Sequence, residues 1–376
     1  MNKKNILQLS KYYSPYKGGI ESVVLDISEG LVKYGFDTTV LATDESNLER
    51  VANINGVRVI RSKEYTNIAN TSLSPRYFVD TIIKCNQNII HIHLPNPLSN
   101  LALFLAWILG KDISNIVIHW HCDIVKQKSL LFLYRPLQNW LLRKSKVIIV
   151  TSRRYLNHSK PLRGFRYKTE VVPIGIDSLE SSVDKFIVEN IKSKYYGEKI
   201  VFSLGRHIYY KGFEFLIEAA PLVKNTVFLI GGIGPDTEKY KKMIVNMGLQ
   251  DKVFLIGKVA DEELPSYYSA ADIFCFPSIE KNEAFGVSQL ESMSVGTPVI
   301  STDIKGSGVP WVNKHMESGL ICKPKNSKRL AQAINTLISD EPLLNKLAYG
   351  AKNRFLSKFT KNHMVEKVVE IYNAMN

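Results

Sequence analysis

Ile273-Phe-Cys-Phe-Pro277-Ser-Ile-Glu-Lys-Asn-Glu283-Ala-Phe285-Gly286-Val-Ser-Gln-Leu-Glu291 passes from a short apolar, β-rich run through a polar loop into a helical pattern. The same strand–loop–helix unit recurs on both sides of it. In the second half, strands are expected over 200–204, 227–230, 253–256, 273–276, 299–301 and 320–322, with helices over 213–223, 236–247, 261–270, 286–295, 327–339 and 341–355. In the first half, strands are expected over 4–10, 38–43, 57–61, 89–94, 116–121 and 147–152, with helices over 19–34, 75–86, 97–110 and 130–145. Runs such as Ile89-Ile-His-Ile-His-Leu are mostly apolar rather than alternating, as buried parallel strands are. In the first helix Ile20, Val23, Val24, Ile27 and Leu31 fall at three- and four-residue spacing and make one core-facing stripe. Alternation of this kind predicts an α/β protein of doubly wound parallel sheets. Two rounds, divided near 173–184, predict two Rossmann-like domains facing a cleft: residues 1–175, residues 176–358, and a last helix within 359–376 that could return to the first domain.

The 376 residues are 45% apolar and 22% charged, with mean hydropathy −0.07, an ordinary globular balance that excludes wholesale disorder. The longest apolar run, Leu101 to Leu109, is far short of the ~20 residues a spanning helix needs. Met1-Asn-Lys-Lys leads into a strand-like segment without a signal-peptide core, so a cytoplasmic location is expected. Cys85, Cys122, Cys275 and Cys322 are scattered with no C-x-x-C pair, which argues against a disulfide scaffold or a cysteine-rich zinc site. Charge is unevenly spread. Of the net +14, residues 1–175 hold 24 Lys/Arg against 12 Asp/Glu, and from Lys126 to Lys168 there is no acid. Such a face is either a solvated surface or a docking surface for a polyanion. Without a zinc finger, RNP motif or helix-turn-helix signature, nucleic acid is not the expected partner, which leaves an anionic membrane.

In open α/β sheets ligands bind beyond the C-terminal strand ends, so the loops there hold the candidate chemistry. Gly18-Gly19 opens the first helix and lets backbone approach an anion, although the spacing is not the dinucleotide G-x-G-x-x-G. Gly205-Arg206-His-Ile-Tyr-Tyr-Lys211-Gly212 presents two cations in a glycine-bounded loop, suited to a diphosphate. Gly231-Gly232-Ile-Gly234-Pro235 follows the next strand. Glu283 falls at the helix mouth and Glu291 inside the helix, where each is either a hydroxyl-binding carboxylate or an ordinary helix residue. His91-x-His93 and His119-x-His121 share strand faces; they raise a metal reading, but a cleft or core role is favoured and no metal is expected.

Taken in order, Gly18-Gly19, His121, Gly205-Arg206 with Lys211-Gly212, and Glu283-x-Phe285-Gly286 with Glu291 resemble the family 4 retaining glycosyltransferases of the GT-B fold, and the chain is similar to bacterial O-antigen and capsule sugar transferases. The correspondence runs from Lys4 to about Phe355, and the Glu-x-Phe-Gly-x-x-x-x-Glu segment with the Arg/Lys pair is its most specific part. The resemblance implies an acceptor-side first domain and a nucleotide-sugar-binding second domain. It implies that Arg206 and Lys211 neutralise the donor diphosphate, that the backbone at Gly18 and Gly19 approaches it, and that His121 contacts the donor sugar. It further implies that Glu283 holds sugar hydroxyls, Glu291 holds the ribose, Lys258 and Val259 frame the base, and Gly205, Gly232, Phe285, Gly286 and Val287 complete the donor pocket. No metal cofactor is implied. Where many members carry a Gly-Gly loop and a Glu, this chain has Gly306-Ser-Gly-Val-Pro-Trp311-Val-Asn313, so Trp311 either shapes a pocket or packs an interface, and Glu280 competes with Glu283.

The expected activity is therefore retaining transfer of a hexose from a nucleoside-diphosphate sugar, GDP-mannose-like by preference, to a lipid-linked oligosaccharide on undecaprenyl diphosphate. The chain would work in the cytoplasm, peripherally associated with the anionic inner membrane through the helix containing Leu130-Leu-Phe-Leu-Tyr134, which Pro136 would kink or split. The alternatives are a UDP-hexose donor, a nucleotide-sugar epimerase on the same fold, and a non-enzymatic basic scaffold.

Overall fold

The computed structural model describes residues 4–16, 18–46, 48–68, 71–124 and 128–375. The chain forms two compact units, one of residues 1–175 with 361–376 and one of residues 176–360. The final helix, Lys361–Asn373, thus belongs with the N-terminal unit. It lies along the helix Gly19–Lys33, where Gly30 leaves room for Val365. A Cβ at Gly30 would stand 2.5 Å from Val365 Cγ2.

The first unit is built on an eight-stranded sheet. Its order across the sheet is Thr169–Val171, Val147–Val150, Ile116–Trp120, Ile89–Leu94, Asn5–Leu9, Asp37–Asp44, Val57–Lys63 and Val51–Ile54. Every pairing is parallel except the last, a hairpin closed by Asn55 (φ 51°) and Gly56 (φ 85°). That two-residue Asn-Gly turn is the pattern that twists correctly for a hairpin. The strand it closes, Val51–Ile54, does not figure among the expected ones. The short helix Arg153–His158 is also additional, and it starts where the Ser152 hydroxyl accepts the Tyr155 N–H.

The second unit carries a six-stranded, wholly parallel sheet in the order Val253–Gly257, Thr226–Gly231, Lys199–Leu204, Ile273–Phe276, Val299–Thr302, Gly319–Cys322. Its core packs Phe213, Leu216, Ile217, Phe228, Ile334 and Leu347 around the sheet. The order reverses between Lys199–Leu204 and Ile273–Phe276, which makes a crevice at their C-terminal ends.

The helix Lys128–Lys144 is continuous and contains Pro136, so it is not split in two. Its two ends differ. Leu141 and Leu142 are fully buried, whereas Phe132 and Leu133 are 77% and 74% exposed. Trp140 packs edge-on against Phe104 of the preceding helix, Pro97–Ile108. Beside them Trp107, Ile108 and Leu109 are exposed, and the Lys144 ammonium lies 4.9 Å from the Trp107 ring centre. Lys126, counted in the basic run, lies outside the described residues.

Candidate active site

In the second unit, the strand-end loops meet backbone to backbone at the reversal point. Gly232 (φ 117°) passes so close to Gly205 that a Cβ would stand 2.0 Å from the Gly205 carbonyl oxygen. Gly212 (φ 69°) passes Pro277 in the same way, at 2.3 Å. The glycines are required by these approaches and not only by the turns. Across this junction Lys211 and Glu283, distant in sequence, form an ion pair of 2.5 Å with both side chains largely buried. The Lys211 ammonium also lies 5.2 Å from the Phe276 ring centre. Burial opposes its charge, but the Glu283 carboxylate, with Tyr210 and Glu291, raises the Lys211 pKa on balance. Lys211 stays charged and has further N–H donors for an incoming anion.

The Glu283 loop is braced from behind. Ser278 Oγ donates to Glu283 Oε2 at 3.3 Å, the Ser307 hydroxyl donates to the Glu283 carbonyl, and the Gly308 N–H donates to the Ala284 carbonyl at 2.8 Å. The departing 306–313 stretch is thus the support of this loop. Trp311 packs within the second unit, against Phe359 at 5.5 Å and Phe285 at 6.3 Å between ring centres, with the Arg354 guanidinium 5.8 Å away. Glu280 turns elsewhere. It accepts from the Tyr209 hydroxyl at 2.9 Å and faces Lys325.

The helix Val287–Ser294 starts at Gly286 (φ 84°), where a side chain would strike Phe276 and Gln289. Glu291, one turn in, is not a solvated helix residue. It accepts a 2.6 Å hydrogen bond from the Tyr268 hydroxyl, and burial raises its pKa, with Tyr268 and Lys211 pulling the other way. Tyr268, a residue sequence reading passed over, positions this carboxylate. Arg206 and Lys258 are exposed in the loops after their strands, and Val259 packs beside Gly231.

In the first unit, Gly18 and Gly19 open their helix. Among the described residues, a Cβ on Gly19 would meet nothing within 4 Å beyond its chain neighbours and its own helix backbone. His121 follows the strand Ile116–Trp120 and is buried. It stands at the end of a stack of imidazoles, with His119 at 4.3 Å and His93 at 5.3 Å between ring centres, and His91 beyond. The parallel pairing His93↔His119, with Gln8↔His91 on the next strand, sets these side chains on one face. Burial lowers the pKa of all four, that of His121 to about 3. Ligand nitrogens of His91, His93 and His119 lie within 4.8 Å of one another. His119 lies face to face with His121, whereas His93 meets His121 edge to edge through a 3.0 Å contact between Nδ1 and Nε2. Both His93 nitrogens are moreover already hydrogen-bonded.

Comparison with known proteins identifies the family. The model for "Glycosyl transferases group 1" matches residues 184–354, and that for "Glycosyltransferase Family 4" matches residues 17–178. The chain belongs to the family 4 glycosyltransferases of the GT-B fold and is a hexosyltransferase. It is 30% identical to O-antigen chain mannosyltransferase C of Escherichia coli, over 97% of this chain and 96% of that one. It is 29% identical to the D-rhamnosyltransferase WbpZ of Pseudomonas aeruginosa, over 93% and 90%. Among solved structures, HepE of Anabaena in complex with UDP and glucose superposes with a TM-score of 0.77 at 19% identity, covering 99% of this chain and 100% of that one. The epimerase and non-enzymatic alternatives fall with this membership. Among the described residues no helix is long and apolar enough to cross a membrane.

Proposed function

We propose that the protein is a retaining transferase that moves a hexose, GDP-mannose-like by preference, from a nucleoside-diphosphate sugar to a lipid-linked oligosaccharide carried on undecaprenyl diphosphate. The product would be a growing O-antigen or capsule unit. The observation that carries this reading is the Lys211–Glu283 pair held at the sheet's reversal point among the glycine loops. One cation and one carboxylate side by side suit a diphosphate joined to a sugar. The mannosyltransferase relative favours mannose; a UDP-hexose is the alternative.

The second unit binds the nucleotide sugar and the first serves the acceptor. Lys211 and Arg206 neutralise the diphosphate, Glu283 holds sugar hydroxyls and Glu291 the ribose. Lys258 and Val259 frame the base. Gly205, Gly232, Phe285, Gly286 and Val287 shape the pocket, Gly18 and Gly19 offer backbone N–H groups, and His121 touches the donor sugar. Glu283 is tied to Lys211 and Glu291 to Tyr268, which supports front-face substitution without a carboxylate nucleophile. The acceptor oxygen bonds to the sugar carbon on the face from which the diphosphate leaves, and its proton passes to the departing phosphate oxygen. Fixed cations supply the electrostatic stabilisation, roughly 3 kcal/mol per well-placed donor, so no metal cofactor is required.

The enzyme would meet its acceptor at the anionic inner-membrane surface, peripherally associated from the cytoplasmic side. Exposed Phe132 and Leu133, with Trp107, Ile108 and Leu109 and the exposed cations Arg135, Arg143, Lys144 and Lys146, support this docking. A thermal-shift screen against GDP-, UDP- and dTDP-sugars, followed by transfer to a lipid-linked acceptor and NMR of the new anomeric centre, tests the reading. Stabilisation by GDP-mannose and a retained configuration are expected. Inversion, or indifference to every nucleotide sugar, would sink it.

A further inference from the structure

Between the strand Ile273–Phe276 and the helix Val287–Ser294 the backbone follows no regular element, yet it holds the Glu283 side chain in a defined pair with Lys211. Two of the loop's amides are tied: the Ile279 N–H donates to the Tyr210 carbonyl at 2.8 Å, and the Glu283 N–H to the Glu280 carbonyl at 3.0 Å. Its carbonyls are held by a different segment of the same unit. Those of Ser278, Glu283 and Ala284 accept, in order, from the Thr302 hydroxyl, the Ser307 hydroxyl and the Gly308 N–H. A carbonyl oxygen can only accept, so the chemistry fixes the direction of each bond. Ser307 Oγ in turn accepts the Val309 N–H at 3.1 Å. Ser278, Thr302 and Ser307 are all buried, so a lost partner there is not replaced by bulk water. The brace is itself anchored. Trp311 and Val312, in the one-turn helix Val309–Val312, offer their carbonyls to the buried Arg354 guanidinium at 2.5 and 2.8 Å. Next to them the buried Asn313 amide donates to the Val299 and Leu320 carbonyls, both at 3.0 Å.

We infer that Ser307 is a positioning residue for recognition of the donor sugar: by clamping the Glu283 carbonyl, with Gly308 on the next one, it sets where the Glu283 carboxylate meets the sugar hydroxyls. The inference rests on the proposed contact of Glu283 with the sugar, and it lies wholly within the second unit. A carboxylate on a loosened backbone keeps its charge beside Lys211. It loses the aim that hydroxyl recognition needs, and small misplacements of this kind are costly in turnover. The diphosphate needs only the cations and does not register the change. The 306–313 stretch, where this chain departs from many family members, thereby acquires a part in reading the sugar without touching it.

The experiment uses the full-length chain and three readings: amide hydrogen exchange, calorimetric GDP affinity, and kcat/KM with GDP-mannose. In Ser307→Ala the Glu283 and Gly308 amides should exchange at least tenfold faster, and kcat/KM should fall about tenfold, the worth of one hydrogen bond. GDP affinity should stay within about twofold of wild type. Thr302→Val, a change of the same shape at the neighbouring hydroxyl, should move exchange and kcat/KM the same way by about threefold. Ser203→Ala is the matched control, since that buried hydroxyl also donates to a carbonyl, that of Cys275 at 2.7 Å, ahead of the loop. It should lower Tm as much as Ser307→Ala does and leave kcat/KM unchanged. In a Glu283→Gln background, Ser307→Ala should cost no further turnover. Wild-type exchange in Ser307→Ala, an equal kinetic loss in Ser203→Ala, or full additivity with Glu283→Gln overturns the positioning role. Full turnover in Glu283→Gln overturns the sugar contact instead, and the exchange rates still decide the brace separately.

Discussion

Mild acid should unfold the first unit well before it disturbs the second. His91, His93, His119 and His121 are buried and held below the usual histidine value of 6.5, by burial first and by one another second for all but His121, where burial acts alone. The folded chain therefore keeps them neutral while the unfolded chain protonates them. Their contribution is whole above pH 6.5 and is lost as pH falls through that value. Each imidazole loses RT ln(1 + 10^(6.5 − pH)), about 0.06 kcal/mol at pH 7.5 and about 1.4 kcal/mol at pH 5.5. Four together cost about 5 kcal/mol over that interval, comparable with the whole stability of a domain. The second unit has His207, lowered mainly by burial against the opposing pull of the Gly231 backbone and Asp236, so its loss is at most one quarter as large. Asp44 and Glu317, whose pKa values are lowered, lose their contribution only as pH falls through the usual carboxylate range, and Glu291, raised by burial, favours the folded second unit as pH falls.

His119 isolates the effect, because neither of its nitrogens has a hydrogen-bond partner among the described residues. His119→Leu keeps the volume and removes two orphaned polar atoms. The variant should gain about 1 kcal/mol at pH 7.5 and should lose about 1.4 kcal/mol less than wild type on going to pH 5.5. Calorimetric unfolding at both pH values measures both numbers, with the two units resolved as separate transitions. Parallel pH dependences for wild type and variant would refute the claim that the stack enters the folded state neutral.

Arg206→Ala and Lys211→Ala should each weaken GDP binding at least tenfold, because each removes a charge-assisted contact worth about 1.5–3 kcal/mol; unchanged calorimetric affinity in a folded double variant would remove the donor-site assignment. Glu283→Gln should lower kcat more than it lowers GDP affinity, since its partner is the sugar; collapse of affinity with turnover intact would mean that Glu283 and Glu291 have exchanged roles. Treatment with EDTA should leave transfer unchanged, and complete loss restored by a divalent ion would contradict charge stabilisation by Arg206 and Lys211. In flotation with phosphatidylglycerol vesicles, changing Arg135, Arg143, Lys144 and Lys146 to Ser should release the protein, as should salt that shortens the Debye length; equal binding of both proteins would leave the basic face a soluble surface.

The parts of the site that could be read from sequence are those whose meaning is local. A strand that ends in a glycine loop ahead of a helix places Lys211 or Glu283 at a sheet edge wherever the remaining strands fall. Parallel winding then brings the two edges together, because the strands Lys199–Leu204 and Ile273–Phe276 are neighbours at the reversal. The Asn55-Gly56 hairpin, with its short strand Val51–Ile54, was not among the expected elements. Long-range partners carry no such signature. Glu291 reads either as a hydroxyl-binding carboxylate or as an ordinary helix residue, and nothing local shows that Tyr268, from another helix, bonds to it. Trp311 acquires a role only through Arg354 and Phe359.

The histidine stack shows most clearly why the remainder was hidden. Alternation on two strands predicts that His91 and His93 share a face, and likewise His119 and His121. It does not predict that the strands are adjacent in a register that stacks all four rings, nor that a tyrosine near the C-terminus ends the chain of hydrogen bonds. Hydrogen bonds link His121 to His93, His93 to Gln8, and Gln8 to a tyrosine hydroxyl on a helix whose own sequence shows only an amphipathic stripe. Residue identity and spacing locate a functional group, whereas its protonation state is a property of the packed neighbourhood, and that neighbourhood exists only once the C-terminal helix has docked.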